Sequence, residues 1–137
     1  MEWESLSWKS LNQENISKLP DKPGVYAIRI VMKGKPKKIP RIFRTDKLGI
    51  LCFGQTGKSL RVRLRCFYRS ANEGQQLHAE GISYYRLCYF KRLQLNKLRI
   101  GYKTFNNQDK AKKTEEKWFD EYERRFGELP PLNRKKG

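Results

Sequence analysis

Apolar residues in this chain fall in short runs and stripes separated by glycine, proline and asparagine. The first 20 residues carry Trp3, Leu6, Trp8, Leu11, Ile16 and Leu19 among polar neighbours, and Pro20 and Pro23 then bracket a turn. That spacing reads as a leader laid on the core, with one helical turn at Glu14–Lys18. From Gly24 the run Val25 to Met32 is β-branched and apolar, and it stops at Lys33-Gly34-Lys35-Pro36. A strand followed by a turn is expected. Leu48 to Gly54 is a second apolar run that reads as a buried strand, expected to pair antiparallel with the first.

Ser59 is placed to cap a helix in which Leu60, Leu64 and Phe67 share one face while Arg61, Arg65 and Arg69 take another. About three turns are predicted, ending near Ser70. Gln75 to Tyr89 reads as a second helix with Leu77, Ile82, Tyr85 and Cys88 or Tyr89 inward, despite Gly81. Leu98 to Phe105 alternates apolar and polar residues, which predicts a half-buried third strand. Asp109 to Phe126 forms the last helix, with Trp118, Phe119, Tyr122 and Phe126 as its apolar stripe and Gly127 and Pro130-Pro131 as its stop. The order β-β-α-α-β-α predicts an α+β fold, a small central three-stranded, mainly antiparallel sheet flanked by about three helices. With 137 residues the chain is read as one domain, residues 21–133, preceded by the leader 1–20 and followed by a basic tail 134–137.

Charge changes the picture most. With 31 Lys+Arg against 14 Asp+Glu the formal charge is +17. So one-sided a balance destabilises a compact state by self-repulsion unless a polyanion relieves it, and nucleic acid is the first candidate, with mere solubility as the bland alternative. No run of about 18 apolar residues exists and the opening residues lack the pattern of a secretory leader, so no membrane association is expected. Cys52, Cys66 and Cys88 are widely spaced in apolar surroundings with no Cys-x2-Cys pair, and the chain has one histidine. Buried thiols in a reducing compartment fit this better than zinc or disulfides, and a cytoplasmic location is expected.

Gly54-Gln55-Thr56-Gly57-Lys58-Ser59 invites comparison with a phosphate-binding P-loop. The first glycine of such a loop stands five residues before the second, and that position here is Cys52. Nucleotide hydrolysis is set aside on that mismatch.

The same segment fits another pattern better. Gly24-Val25-Tyr26 opens one strand, Cys52-Phe53-Gly54 closes the next, Arg63 lies on the helix that follows, Glu115 precedes the apolar pair Trp118-Phe119, and Asn133 ends Pro130-Pro131-Leu132-Asn133. In this order, over about residues 20 to 133, the chain resembles the GIY-YIG nuclease family. The resemblance implies a divalent-metal-dependent endonuclease cleaving phosphodiester bonds, with Tyr26 orienting or activating water, Arg63 on the scissile phosphate, Glu115 (in reserve Glu116) holding Mg2+ or Mn2+, and Asn133 near the metal or fixing local backbone. Helical spacing separates the two glutamates independently: Glu115 shares the stripe of Trp118, Phe119 and Tyr122, whereas Glu116 turns toward solvent.

Each position also has a plainer reading. Tyr26 fits strand packing, Arg63 a solvated or backbone-binding arginine, Glu115 an acid favoured by a helix dipole, and Asn133 a turn residue. Cys52 stands where the family's second tripeptide has tyrosine, so either Tyr26 carries the chemistry alone, or Tyr68, Tyr84 or Tyr85 supplies a second hydroxyl, or catalysis is reduced or lost. DNA is favoured over RNA as partner, and Lys37, Lys38, Arg41, Arg44, Lys58, Arg61, Arg65 and Arg69 are the expected phosphate contacts. The alternatives are a nucleic-acid-binding protein of the same fold with impaired catalysis, and a ribosome-associated RNA binder.

Overall fold

The computed structural model describes residues 1–84 and 95–133. Tyr85, Cys88 and Tyr89, expected to face inward, and the basic tail 134–137 lie outside the described residues. In chain order the strands are β1 (Lys9–Ser10), β2 (Gly24–Met32), β3 (Lys35–Pro36), β4 (Ile39–Pro40), β5 (Thr45–Asp46), β6 (Ile50–Thr56) and β7 (Leu98–Thr104). The helices are α1 (Gln13–Ser17), α2 (Leu60–Glu73), α3 (helical over residues 79–84) and α4 (Gln108–Phe126).

The architecture is α+β. The sheet has five strands where three were expected, because β1 extends it beyond β7 and β3 folds back on the end of β2. The three long strands are the expected ones, with β2 between β6 and β7 and every pairing antiparallel. A central strand is covered on both faces, which explains why β2 is apolar almost throughout. Tyr26, Ile28 and Ile30 join the cluster under α1, α2 and α3, while Val25 and Ala27 join the cluster under α4. The leader is tied in at both levels: Trp3 is fully buried against Phe53 and Tyr122, and Lys9–Ser10 pair with β7.

Several boundaries differ from the sequence expectation, each for a local reason. Ser59 does cap α2, its hydroxyl accepting from the Val62 amide, but the helix runs past Ser70 to Glu73 and stops at Gly74, whose φ of 74° closes it with a left-handed turn. The next helix begins at residue 79 rather than Gln75, because Ser70 Oγ captures the Leu77 amide and residues 75–78 form a turn. Leu77 is therefore exposed, not inward, and Tyr84 is buried in the core. The second strand starts at Ile50, not Leu48: the buried Asp46 carboxylate accepts from the Leu48 and Ile50 amides and from the Tyr122 hydroxyl, holding residues 47–49 in a loop.

Two features prepare the site. The register of β2 and β6 shifts between Ile28 and Arg29, where Leu51 is the extra residue of a bulge. The outer edge of β6 is closed by the C-terminal segment instead of another strand: the Leu132 amide bonds to the Leu51 carbonyl, and the Asn133 side chain takes both backbone groups of Phe53. Among the described residues, no helix is long and apolar enough to cross a membrane.

Candidate functional site

The β6 edge of the sheet gathers polar groups from five separate segments. Tyr26 comes from β2 and is 1% exposed. Its ring lies across Gly54 of β6, the residue opposite it in register, and a β-carbon at 54 would collide with Cζ and Oη. The second glycine of the paired tripeptides therefore makes room for the tyrosine of the first. Gly24 has a similar role toward α2, since a β-carbon there would run into Leu60 and the Lys103 carbonyl.

The turn before α3 supplies the partner of Tyr26. His78 Nε2 lies 2.7 Å from Tyr26 Oη, and the imidazole packs edge-on against Phe67 with ring centroids 5.1 Å apart. The Gly81 amide points at His78 Nδ1 from 3.3 Å. That nitrogen therefore accepts, the neutral ring carries its proton on Nε2, and the proton is donated to Tyr26 Oη. Burial, reinforced by the Arg63 charge, lowers the His78 pKa to about 3, so the ring stays neutral through the ordinary pH range. Glu80 Oε2 stands 3.5 Å from His78 Nδ1. Burial pushes the Glu80 carboxyl up, toward the protonated form that does not repel the imidazole lone pair.

Arg63, on the second turn of α2, lowers the proton affinity of Tyr26, His78, Glu80 and Glu115. One guanidinium charge thus acts on all four groups. Burial is the larger influence on Tyr26 and holds its phenol well above 10.

Glu115 occupies a core position of α4, in the stripe Ala111, Glu115, Trp118, Phe119, Tyr122 and Phe126. It is 5% exposed while Glu116 faces solvent, the orientation that helical spacing predicts for the two. Its Oε1 is buried without a hydrogen-bond partner among the described residues. Burial, then the neighbouring Glu80 and Glu116 charges, raise its pKa from 4.5 to about 7. An amphipathic helix that spends a core position on an unsatisfied carboxylate loses stability unless something positive or protic meets it. Asn133 completes the cluster: besides closing β6, its Nδ2 donates to Glu80 Oε1 at 3.1 Å.

Tyr26, Arg63, Glu115, Gly54 and Asn133 are thus brought together, as their order in the sequence suggested. Cys52 is fully buried in the core beneath the site, its thiol pushed up by burial and by Glu80 and Glu115, and it offers no hydroxyl. Tyr84 is buried in the α2 side of the core, and Tyr68 lies with Arg65 and Arg69 in a shallow cleft against α1, away from Tyr26. The sequence reading missed His78 and Glu80. It used the single histidine only to exclude zinc, yet His78-Ala79-Glu80-Gly81 at a helix start was the available signal.

Among the described residues no three His, Cys, Asp or Glu side chains cluster as metal ligands. A divalent ion here would therefore rest on Glu115, with Glu80 as its neighbour, and draw its other oxygens from water and substrate. The orphaned Glu115 oxygen fits that arrangement, since Mg2+ commonly keeps several waters. The expected phosphate contacts divide. Lys37, Lys38, Arg44, Lys58, Arg65 and Arg69 are exposed, whereas Arg41 is held by Glu128 and the Leu129 carbonyl and Arg61 by the Leu19 carbonyl. In comparisons with family models, curated proteins and solved structures, nothing matches this chain.

Proposed function

We propose that this protein is a divalent-metal-dependent endonuclease that hydrolyses phosphodiester bonds in DNA, with the working parts of the GIY-YIG family it resembles in sequence order. The observation that carries the reading is the meeting of Tyr26, Arg63, His78, Glu80, Glu115 and Asn133 at one sheet edge on a chain of charge +17. Neither the core nor the sheet requires a buried tyrosine–histidine pair beside an unpaired carboxylate.

Phosphodiester hydrolysis needs an oriented water, charge stabilisation on the phosphoryl oxygens and help for the leaving alkoxide. Tyr26 Oη accepts from His78 Nε2–H, which leaves its own proton and a lone pair to position the attacking water. Burial holds Tyr26 as the neutral phenol despite the opposing Arg63 charge, so it orients that water as a hydrogen-bonding group and the water's proton leaves to bulk solvent. Arg63 presents a planar fork of donors to the scissile phosphate. A bound Mg2+ or Mn2+ would supply positive charge to the phosphate, with Glu115 as its carboxylate ligand. Glu80 and Asn133 hold the turn carrying His78 against the β6 edge.

A second reading, nucleic-acid binding without cleavage, is favoured by one observation: the buried Cys52 thiol stands where the family supplies a second phenol. Incubating the purified protein with circular plasmid and Mg2+ or Mn2+ separates the two. Nicking by the wild type that disappears in Glu115→Gln and Arg63→Ala supports the enzyme. Nicking that survives both substitutions overturns the site, and salt-sensitive binding without nicking of DNA or RNA leaves the binding reading in its place.

A further inference from the structure

The segment between β3 and β6 has no part in the cluster just described, yet it carries the most exposed large apolar side chains among the described residues. Arg41-Ile42-Phe43-Arg44 forms the tip of the β4–β5 hairpin, in which Ile39 pairs with Asp46 and Pro40 with Thr45. Ile42 is 69% and Phe43 68% exposed, the two most exposed large apolar side chains among the described residues, and they are consecutive. The hairpin is not loose. The Phe43 amide bonds to the Phe126 carbonyl at 2.9 Å, the Ile42 amide to Glu128 at 2.9 Å, and Arg41 to both Glu128 and the Leu129 carbonyl. At its base Asp46 is fully buried and bonded to Tyr122. Two apolar side chains are thus kept in water on a braced tip, at a cost in free energy that folding alone does not require.

The surroundings indicate the occupant. Residues 35–47 carry Lys35, Lys37, Lys38, Arg41, Arg44 and Lys47 against one acid, Asp46, and that acid is buried. Arg44 and Lys47 are exposed with no ion-pair partner among the described residues, and with Phe43 and the Arg125–Glu4 pair they line an open cleft of about 730 Å³ at the end of α4. An apolar wedge ringed by cations matches a nucleic-acid duplex, whose phosphates take the cations and whose base steps take the apolar side chains. A protein partner of ordinary composition would not require the excess charge.

We infer that the β4–β5 hairpin is a second nucleic-acid contact, in which Ile42 and Phe43 insert at a base step while Arg44 and Lys47 hold the flanking phosphates. The inference rests on the endonuclease reading for its substrate. Glu115 and Phe126, whose carbonyl holds the Phe43 amide, lie on one stripe of α4 about 16 Å apart along the helix, so a duplex lying along α4 would meet the wedge about five base pairs from the bond held at Glu115. Unstacking there would select substrates that bend or open easily near the cut.

The test is binding of the full chain, without divalent ions, to a duplex carrying 2-aminopurine at successive positions. Wild type is compared with Ile42→Ser/Phe43→Ser and Arg44→Ser/Lys47→Ser. The apolar double substitution is expected to weaken binding about tenfold, leave the salt dependence unchanged and abolish the fluorescence rise of the unstacked base. The cationic one should lower the slope of log K against log salt by about two. Thermal unfolding of both variants at the wild-type temperature shows that the fold is intact, as the exposure of these side chains predicts. Unaltered affinity and fluorescence in the apolar variant overturn the inference while leaving the endonuclease reading standing. Binding to phosphatidylserine vesicles that depends on Ile42 and Phe43, without such dependence on DNA, overturns it in favour of a lipid surface. Failure of the wild type to bind any nucleic acid removes both readings.

Discussion

Replacing Glu115 by glutamine tests whether the α4 carboxylate is held for function at the expense of stability. Folding moves this carboxyl from 4.5 to about 7, chiefly by burial and secondarily by the Glu80 and Glu116 charges. Below about 4.5 it is protonated in both the folded and unfolded chain. Between 4.5 and 7 the unfolded chain releases its proton while the folded one keeps it, so stability falls as pH rises, and above 7 the whole deficit stands. A shift of that size corresponds to about 3 kcal/mol at most. Glutamine keeps the shape and removes the ionisation. It should leave stability nearly unchanged at pH 4 and raise it at pH 8.5, by about 10 °C in Tm if the full deficit is relieved. The assay is thermal unfolding of wild type and variant across pH, reading the difference so that other titrating groups cancel. Mg2+ should narrow the gap at pH 8.5 by stabilising the wild type alone. A variant that is destabilised, or a difference that does not change with pH, would refute both the assignment of Glu115 as an unsatisfied carboxylate and its part in the site.

Tyr26→Phe removes the hydroxyl and its bond from His78. Nicking should fall at least about a hundredfold, with a stability loss of about 1 kcal/mol measured by denaturant unfolding. His78 is neutral when folded, with its pKa lowered to about 3, so its stabilisation is present above the ordinary imidazole value of 6.5 and lost as pH falls toward 3. His78→Gln should flatten acid unfolding over that window, as followed by circular dichroism. Cys52→Tyr, which would restore the missing tyrosine, should not rescue activity. Cys52 is fully buried, and the added volume should destabilise the fold by about 1–3 kcal/mol in chemical unfolding. Asp46→Ala leaves the Leu48 and Ile50 amides and the Tyr122 hydroxyl without their acceptor, and should lower stability by about 2–4 kcal/mol without changing the salt dependence of DNA binding.

Much of the fold could be read from periodicity. The long strands are β-branched and apolar or strictly alternating, α4 has an unbroken stripe from Trp118 to Phe126, and Ser59 and Gly127 mark helix ends with side-chain and backbone chemistry that acts over three or four residues. The points missed are those where a distant group decided a local matter. Residues 75–78 have helical composition, but Ser70 claims the Leu77 amide. Leu48 and Gly49 look like strand, but Asp46 claims the amides that a strand would use. The two-residue strands β1 and β3 have no sequence signature, because they exist only where a neighbour offers unpaired backbone groups.

The candidate site divides in the same way. The sequence by itself determined the charge, the paired tripeptides and that Glu115 rather than Glu116 faces the core, since helical spacing fixes which of two adjacent residues turns inward. Only the tertiary structure decided that Tyr26 and His78, separated by 52 residues along the chain, share a proton, that Asn133 closes the β6 edge as well as touching Glu80, and that Glu115 is left without a partner. Periodicity reports which way a side chain points from its own element. It carries no information about which other element lies across the gap, because that depends on strand register, a bulge at Leu51 and the path of the C-terminal segment, all fixed by packing between residues far apart in sequence.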